Sequence, residues 1–187
     1  MQYYILICGP NGSGKTFFGK QLLKALPKFD LVDGDDLRNF LKEQIHYYQK
    51  VDYSASKTDS VKRSAERIIR AYFEQLEEEL LKNHQSIIRT ATSLRASTRK
   101  YRFNIAREVN PETRTILVCF NTPSEIIEER LRDRDKDHAT QFVKLYQEIS
   151  KNIFDLPSDH EADHVFVHTD PGTLHDLVQK VKDVIIE

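Results

Sequence analysis

Eight residues near the start of the chain, Gly9-Pro10-Asn11-Gly12-Ser13-Gly14-Lys15-Thr16, fill the pattern G-x-x-x-x-G-K-[ST] completely. Glycines at those places let successive backbone N–H groups turn inward around a phosphate, and a helix opening at the lysine adds its partial positive charge. Gly9, Asn11, Gly12, Ser13 and Gly14 then form a phosphate cradle. Lys15 reaches the outer phosphates of a nucleoside triphosphate, and the Thr16 hydroxyl can coordinate Mg2+. The plainer reading is a glycine-rich turn with a surface lysine. The flanks oppose it, because an apolar run (YYILIC) enters the turn and an amphipathic one (TFFGKQLLKAL) leaves it.

A second cluster, LVDGDDLRNF at residues 31–40, holds acids and a cation. Asp33 and Asp35 are two apart, so in extended backbone both carboxylates point the same way, with Gly34 letting the chain turn between them. Arg38 follows Asp35 by about one helical turn. Phosphoryl transfer needs a carboxylate to accept the acceptor hydroxyl's proton and a cation to hold the acceptor. Asp35 and Arg38 suit those two roles. The competing reading makes Asp35 or Asp36 the cap of a helix at 37–45 and leaves Arg38 on a solvated face. A third cluster, EIIEERLRDRDKDH at 125–138, places Arg130 and Arg134 at i, i+4. Both could close over a nucleotide from a lid at about 130–140 and neutralise charge on the transferring group. Salt bridging to Glu128, Glu129, Asp133, Asp135 and Asp137 is the alternative.

These residues need elements to position them. Strand candidates are 3–8, 29–33, 86–91, 114–120 and 164–168, mostly continuous apolar runs of the kind buried on both faces of a parallel sheet. Helical patterns fall at about 14–26, 36–48, 57–83, 97–109, 123–133, 140–152 and 173–186. The alternation predicts an α/β three-layer sandwich with a mostly parallel five-stranded sheet and its ligands at the carboxyl ends of the strands. With 187 residues, 39% hydrophobic and 30% charged, one domain over 1–187 is expected. A formal charge of −1 gives no global attraction to nucleic acid. No apolar window is long enough for a membrane span, and Cys8 and Cys119 read as buried free thiols, so a cytoplasmic protein is expected.

Two signatures narrow the class. The guanine-reading N/T-K-x-D segment is absent from the sequence, which leaves ATP as the expected nucleotide. The run SIIRTA ends without an acid and RTILVCF ends in Asn121, which disfavours a motor ATPase. The chain resembles the small P-loop kinases grouped with the polynucleotide 5′-hydroxyl kinases, from GPNGSGKT through VDGDDLR, SIIRTATSLRASTRKYRFNIAR, FNTPSEIIEERLRDRD and NIFDLPSDHEADHVF. That resemblance implies a kinase-type P-loop fold, with Lys15 and Thr16 as nucleotide and Mg2+ ligands. It implies Asp35 as general base, Arg38 as acceptor-side arginine and Arg134 as lid arginine. VDGDDLR is also similar to the D-G-D-N-x-R of adenylylsulfate kinases. One position departs from the pattern: Thr90 stands where the family usually carries Asp at the end of the third strand. A hydroxyl supplies no negative charge to Mg2+ or to Arg38, so Asp33 is expected to take that role.

The acceptor is less marked. Residues 89–107 hold Arg89, Arg95, Arg99, Lys100, Arg102 and Arg107 and no acid, and Lys62, Arg63, Arg67 and Arg70 form a second basic stretch. Two basic helix surfaces would suit a phosphodiester chain, with Tyr47, Tyr48 or Tyr53 stacking a terminal base. A polynucleotide 5′ end, a small hydroxyl acceptor (nucleoside, sugar or adenylylsulfate-like) and a nucleotide-binding module without transfer all remain open at this level.

Overall fold

The computed structural model describes residues 1–51, 59–134, 153–169 and 171–186, with Arg134 and Pro171 described by backbone alone. Five strands occupy the predicted runs: β1 (Tyr3–Cys8), β2 (Phe29–Asp33), β3 (Ser86–Ala91), β4 (Arg114–Phe120) and β5 (His164–His168). They form one sheet in the order β2-β3-β1-β4-β5. Every neighbouring pair is parallel, so the expectation of a mostly parallel sheet sharpens to an entirely parallel one. Central β1 is buried along its whole length, which explains why YYILIC shows no polar alternation.

The helices are α1 (Lys15–Ala25), α2 (Gly34–Gln44), α3 (His46–Gln49), α4 (Ser60–Lys82), α5 (Ala96–Val109), α6 (Ser124–Arg134) and α7 (Leu174–Ile186). The helix expected at 36–48 is two helices. Ile45 adopts an extended conformation between them, and the break turns Tyr48 into the core beside Val51. The pattern at 140–152 lies outside the described residues.

Strand periodicity divides the core into two. Tyr3, Ile5 and Ile7 pack with Phe18 and Leu22 of α1 and with Leu177 and Val181 of α7. Tyr4, Leu6 and Cys8 point the other way, against Ile69 and Phe73 of α4 and Phe103 and Ala106 of α5. The result is three layers, helix–sheet–helix. Cys8 and Cys119 are register partners on β1 and β4, both free and buried, and the contact between them together with burial pushes the Cys8 thiol up.

The second layer corrects one expectation. Three of the six basic residues at 89–107, Arg89, Arg99 and Arg102, are turned into the protein rather than spread on its surface. Arg89 meets Glu77 at 3.0 Å and lies over the Phe73 ring, 4.3 Å from its centroid. Glu77 also accepts from the Tyr4 hydroxyl at 2.7 Å and pairs with Arg102 at 3.4 Å. Arg99, fully buried, donates to both Glu161 oxygens at 2.7 and 2.9 Å, and Arg107 pairs with Asp163 at 3.3 Å. Arg95, Lys100 and Arg107 stay exposed among the six, Arg107 while paired with Asp163. The acids that recruit the others come from distant parts of the chain, so local composition could not reveal them.

Glu77 serves three partners, so Glu77→Ala strands two guanidinium groups and a tyrosine hydroxyl in a buried site. Breaking such a pair costs about 3–5 kcal/mol. Urea unfolding is expected to show a loss of that size with an unchanged slope, and Glu77→Gln a smaller one.

Candidate nucleotide and acceptor site

The phosphate loop leaves β1 and turns directly into α1. Gly9, Gly12 and Gly14 have φ of 144°, 80° and 101°, a region that side chains rarely adopt. A Cβ at Gly9 would sit 2.7 Å from the Phe120 carbonyl, so the loop is pressed against the end of β4. Asn11 is exposed at the tip, whereas Ser13 is buried and its hydroxyl has no hydrogen-bond partner among the described residues. Lys15 Nζ donates to the Pro10 carbonyl at 2.6 Å, drawing the ammonium back over the loop.

Asp33 is the hub of the site. It ends β2, in register with Thr90 at the end of β3. Asp33 Oδ2 accepts from the Thr16 hydroxyl at 3.0 Å and from the Thr90 hydroxyl. Asp33 Oδ1 accepts from the backbone N–H of Asp35 at 2.9 Å and of Asp36 at 3.2 Å. It is therefore Asp33, and neither Asp35 nor Asp36, that caps the helix. Burial pushes the Asp33 carboxyl up, but the Thr90 hydroxyl, the Asp36 amide, the Thr16 hydroxyl and the Asp35 amide outweigh it and hold the group below 3.8. Gly19 makes room, since a Cβ there would meet Thr90 Cγ2 at 2.9 Å.

Because α2 starts at Gly34, Asp33 and Asp35 do not share an extended face. Asp35 sits in the first helical turn with its side chain 72% exposed, and accepts from Arg38 Nη1 at 2.9 Å. Arg38 Nη2 donates to Glu66 of α4 at 3.2 Å. Asp36 faces Lys20 of α1 at 3.1 Å. Glu66 escaped the sequence reading, being 28 residues from its partner with no motif around it.

The donor set fits Mg2+. Thr16 directs its proton at Asp33, which leaves the hydroxyl lone pairs available, and Asp33 stays ionised beside it. Among the described residues there is no group of three acids, histidines or cysteines that could hold a metal by itself. A metal held by one or two protein oxygens plus substrate phosphates is the habit of Mg2+.

On the other side of the loop lies a cavity of about 420 Å³, lined by Ser13, Gly14, Phe17, Phe120, Thr122, Arg130, His168 and Leu174. Its volume lies in the range of small-ligand pockets. Arg130 Nη1 donates to the Gly12 carbonyl at 3.3 Å, Thr122 donates to the Ser13 carbonyl at 3.2 Å, and His168 sets its edge on Phe120 at 5.1 Å. Thr122 and His168 were not anticipated, although both stand at carboxyl ends of strands, where ligands bind in such sheets. Arg130 is thus at the loop. Arg134 ends α6, and its side chain and the lid beyond it lie outside the described residues. Arg132 pairs with Glu128 at 3.6 Å, so the salt-bridged reading of α6 holds for that residue. Tyr48 is core, Tyr47 packs edge-on against it at 5.3 Å, and Tyr53 is outside the described residues.

A family model for the AAA domain matches residues 5–147. The chain belongs to the AAA domain family. No curated protein matches it. Among solved structures, this AAA domain chain is similar to a candidate kinase of Chloroflexus aurantiacus, with a TM-score of 0.73, 15% identity and 97% of each chain covered. It is similar to the APS kinase of Mycobacterium tuberculosis solved with AMPPNP and APS, with a TM-score of 0.61, 17% identity, and 100% and 98% covered. The shikimate kinase of Acinetobacter baumannii gives a TM-score of 0.56 at 20% identity over 100% and 94% of the two chains. The fold of this AAA domain is that of the P-loop kinases. Among its described residues, no helix is long and apolar enough to cross a membrane.

The Asp33 carboxyl is depressed in the fold, so its stabilisation is complete above the ordinary 3.8 and is lost as pH falls through the lower folded value. Asp33→Asn is expected to be less stable than wild type at neutral pH and to lose less on acidification. Thr90→Asp sets a second carboxylate against Asp33 and is expected to destabilise most at neutral pH, with partial recovery in acid. Chemical denaturation at stepped pH distinguishes these opposite trends.

Proposed function

We propose that residues 1–187 act as one ATP- and Mg2+-dependent P-loop kinase domain that moves the γ-phosphoryl of ATP to an acceptor hydroxyl, the 5′-hydroxyl of a polynucleotide. The observation that carries this reading is the meeting of Thr16 and Thr90 on Asp33, with the Asp35–Arg38 pair one helical turn further along. An ionised carboxylate beside the loop threonine supplies the charge that Thr90 cannot, which speaks against a binding module without transfer.

In this reading Gly9, Asn11, Gly12, Ser13 and Gly14 hold the phosphates with backbone N–H groups, and the cavity beside Arg130 receives the base. Thr16 and Asp33 would hold Mg2+, which when bound neutralises charge on the β- and γ-phosphate oxygens. Asp35 takes the proton of the acceptor hydroxyl as its oxygen bonds to the γ-phosphorus. The bond from that phosphorus to the β–γ bridging oxygen breaks, and ADP leaves. Lys15 and Arg134 offset charge on the moving phosphoryl group, and Arg38 positions the acceptor.

The polynucleotide end is supported by Arg63, Arg67 and Arg70, all exposed on the half of α4 that starts near the carboxyl edge of the sheet. Arg63 and Arg67 are about 6 Å apart along the helix axis, one helical turn, so each can meet a separate phosphate. A small-molecule acceptor is the second reading, favoured by the inward turn of Arg89, Arg99 and Arg102, which thins one of the two basic surfaces. Buried free thiols suit a reducing, cytoplasmic setting.

Incubation with γ-labelled ATP and a panel of 5′-hydroxyl oligonucleotides, nucleosides and sugars tests the reading. Asp35→Asn is expected to cut transfer by about 10²–10⁴-fold while Mg·ATP binding stays intact. Label reaching no acceptor although ATP binds tightly would overturn the transfer assignment.

A further inference from the structure

Arg38 does not meet the cleft as a bare cation. Nη1 donates to Asp35 and Nη2 to Glu66, and the Nε–H is buried with no hydrogen-bond partner among the described residues. The hydrogen-bonded group around it contains the carboxylates of Asp33, Asp35, Asp36 and Glu66 against the cations Arg38 and Lys20. Each Nη carries two N–H bonds, so the guanidinium keeps outward donors while its charge is already matched. Such a group donates well to neutral hydroxyl or carbonyl oxygens, but an arriving anion meets a net negative surround.

We infer that Glu66 is a specificity-determining residue, which neutralises Arg38 and thereby fits the acceptor pocket to an uncharged hydroxyl-bearing moiety, a nucleoside or polyol end, against small carboxylate, sulfate or phosphate acceptors. The inference rests on the kinase reading for what occupies the pocket. It agrees with a polynucleotide 5′ end, whose terminal nucleoside is uncharged on its hydroxyl side and whose phosphates follow outward. Glu66 is placed for this role by α4, not by the Asp35–Arg38 helix, and its side chain is 38% exposed, so it can be replaced without opening the core.

The experiment uses the full chain with its phosphate loop saturated by AMPPNP and Mg2+, titrated with inorganic sulfate while the amide signals of α2 and α4 are followed by NMR. Wild type is expected to show no saturable shift around Arg38. Glu66→Gln, and Glu66→Ala as a second variant, are expected to gain sulfate affinity by about two- to five-fold, the scale of one released ionic partner. That gain is expected to vanish in Glu66→Gln/Arg38→Ala. Sulfate binding at Arg38 in wild type as tight as in Glu66→Gln would overturn the inference. So would a gain that survives loss of Arg38, or no gain in either Glu66 variant. Failure of AMPPNP to bind would instead overturn the kinase reading, and the α2 amides would still report on Arg38.

Discussion

One carboxylate holds the working end of this molecule together. Asp33 terminates the outermost strand on its side of the sheet, caps α2 with one oxygen, and with the other receives hydroxyl protons from the phosphate helix and from β3. Four donors converge on a single buried group, and each comes from a segment that the function needs in register. The cap sets where α2 begins and hence where Asp35 and Arg38 stand. The bond from Thr16 ties the same carboxylate to the helix that follows the phosphate loop. Donor and acceptor halves of the proposed reaction are therefore referenced to one point rather than to each other.

The parallel sheet makes that convergence possible. Parallel register brings the carboxyl ends of β1, β2, β3 and β4 to one edge, so Cys8, Asp33, Ala91 and Phe120 finish near each other although the chain separates them widely. Buried ion pairs on the second layer hold α4 to β3 and α5 to the segment before β5. Glu77 and Glu161 each neutralise an arginine whose burial would otherwise be costly.

The architecture was legible because both of its signals are local. The strands are mostly apolar runs, and the phosphate loop is a contiguous string of eight. What escaped has a common physical cause: it depends on contacts between distant segments. Asp33 capping α2 could be suspected from D-G-D-D, yet which acid caps is decided by where Thr16 and Thr90 stand. The basic run at 89–107 looked like a surface because Glu77, Glu161 and Asp163, which consume it, lie elsewhere in the chain. Glu66 carried no pattern of its own. Tyr48 sits among polar neighbours in sequence, and only the break at Ile45 turns it inward.

The sheet order has a consequence for how the chain reaches this state during synthesis. β1 is synthesised before the other four strands, yet its neighbours are β3 and β4, with Tyr4 aligned to Ile87 on one side and Thr115 on the other. Until those segments emerge, a strand that is buried along its whole length has no edge to pair with and must be shielded by other means. The phosphate loop waits as well, because Gly9 takes its shape against Phe120. The proposed nucleotide could therefore act as a folding ligand only after β4 has been made. Residues 9–16 thus carry the phosphate-loop motif, but its cradle is completed only when the fourth strand has been made.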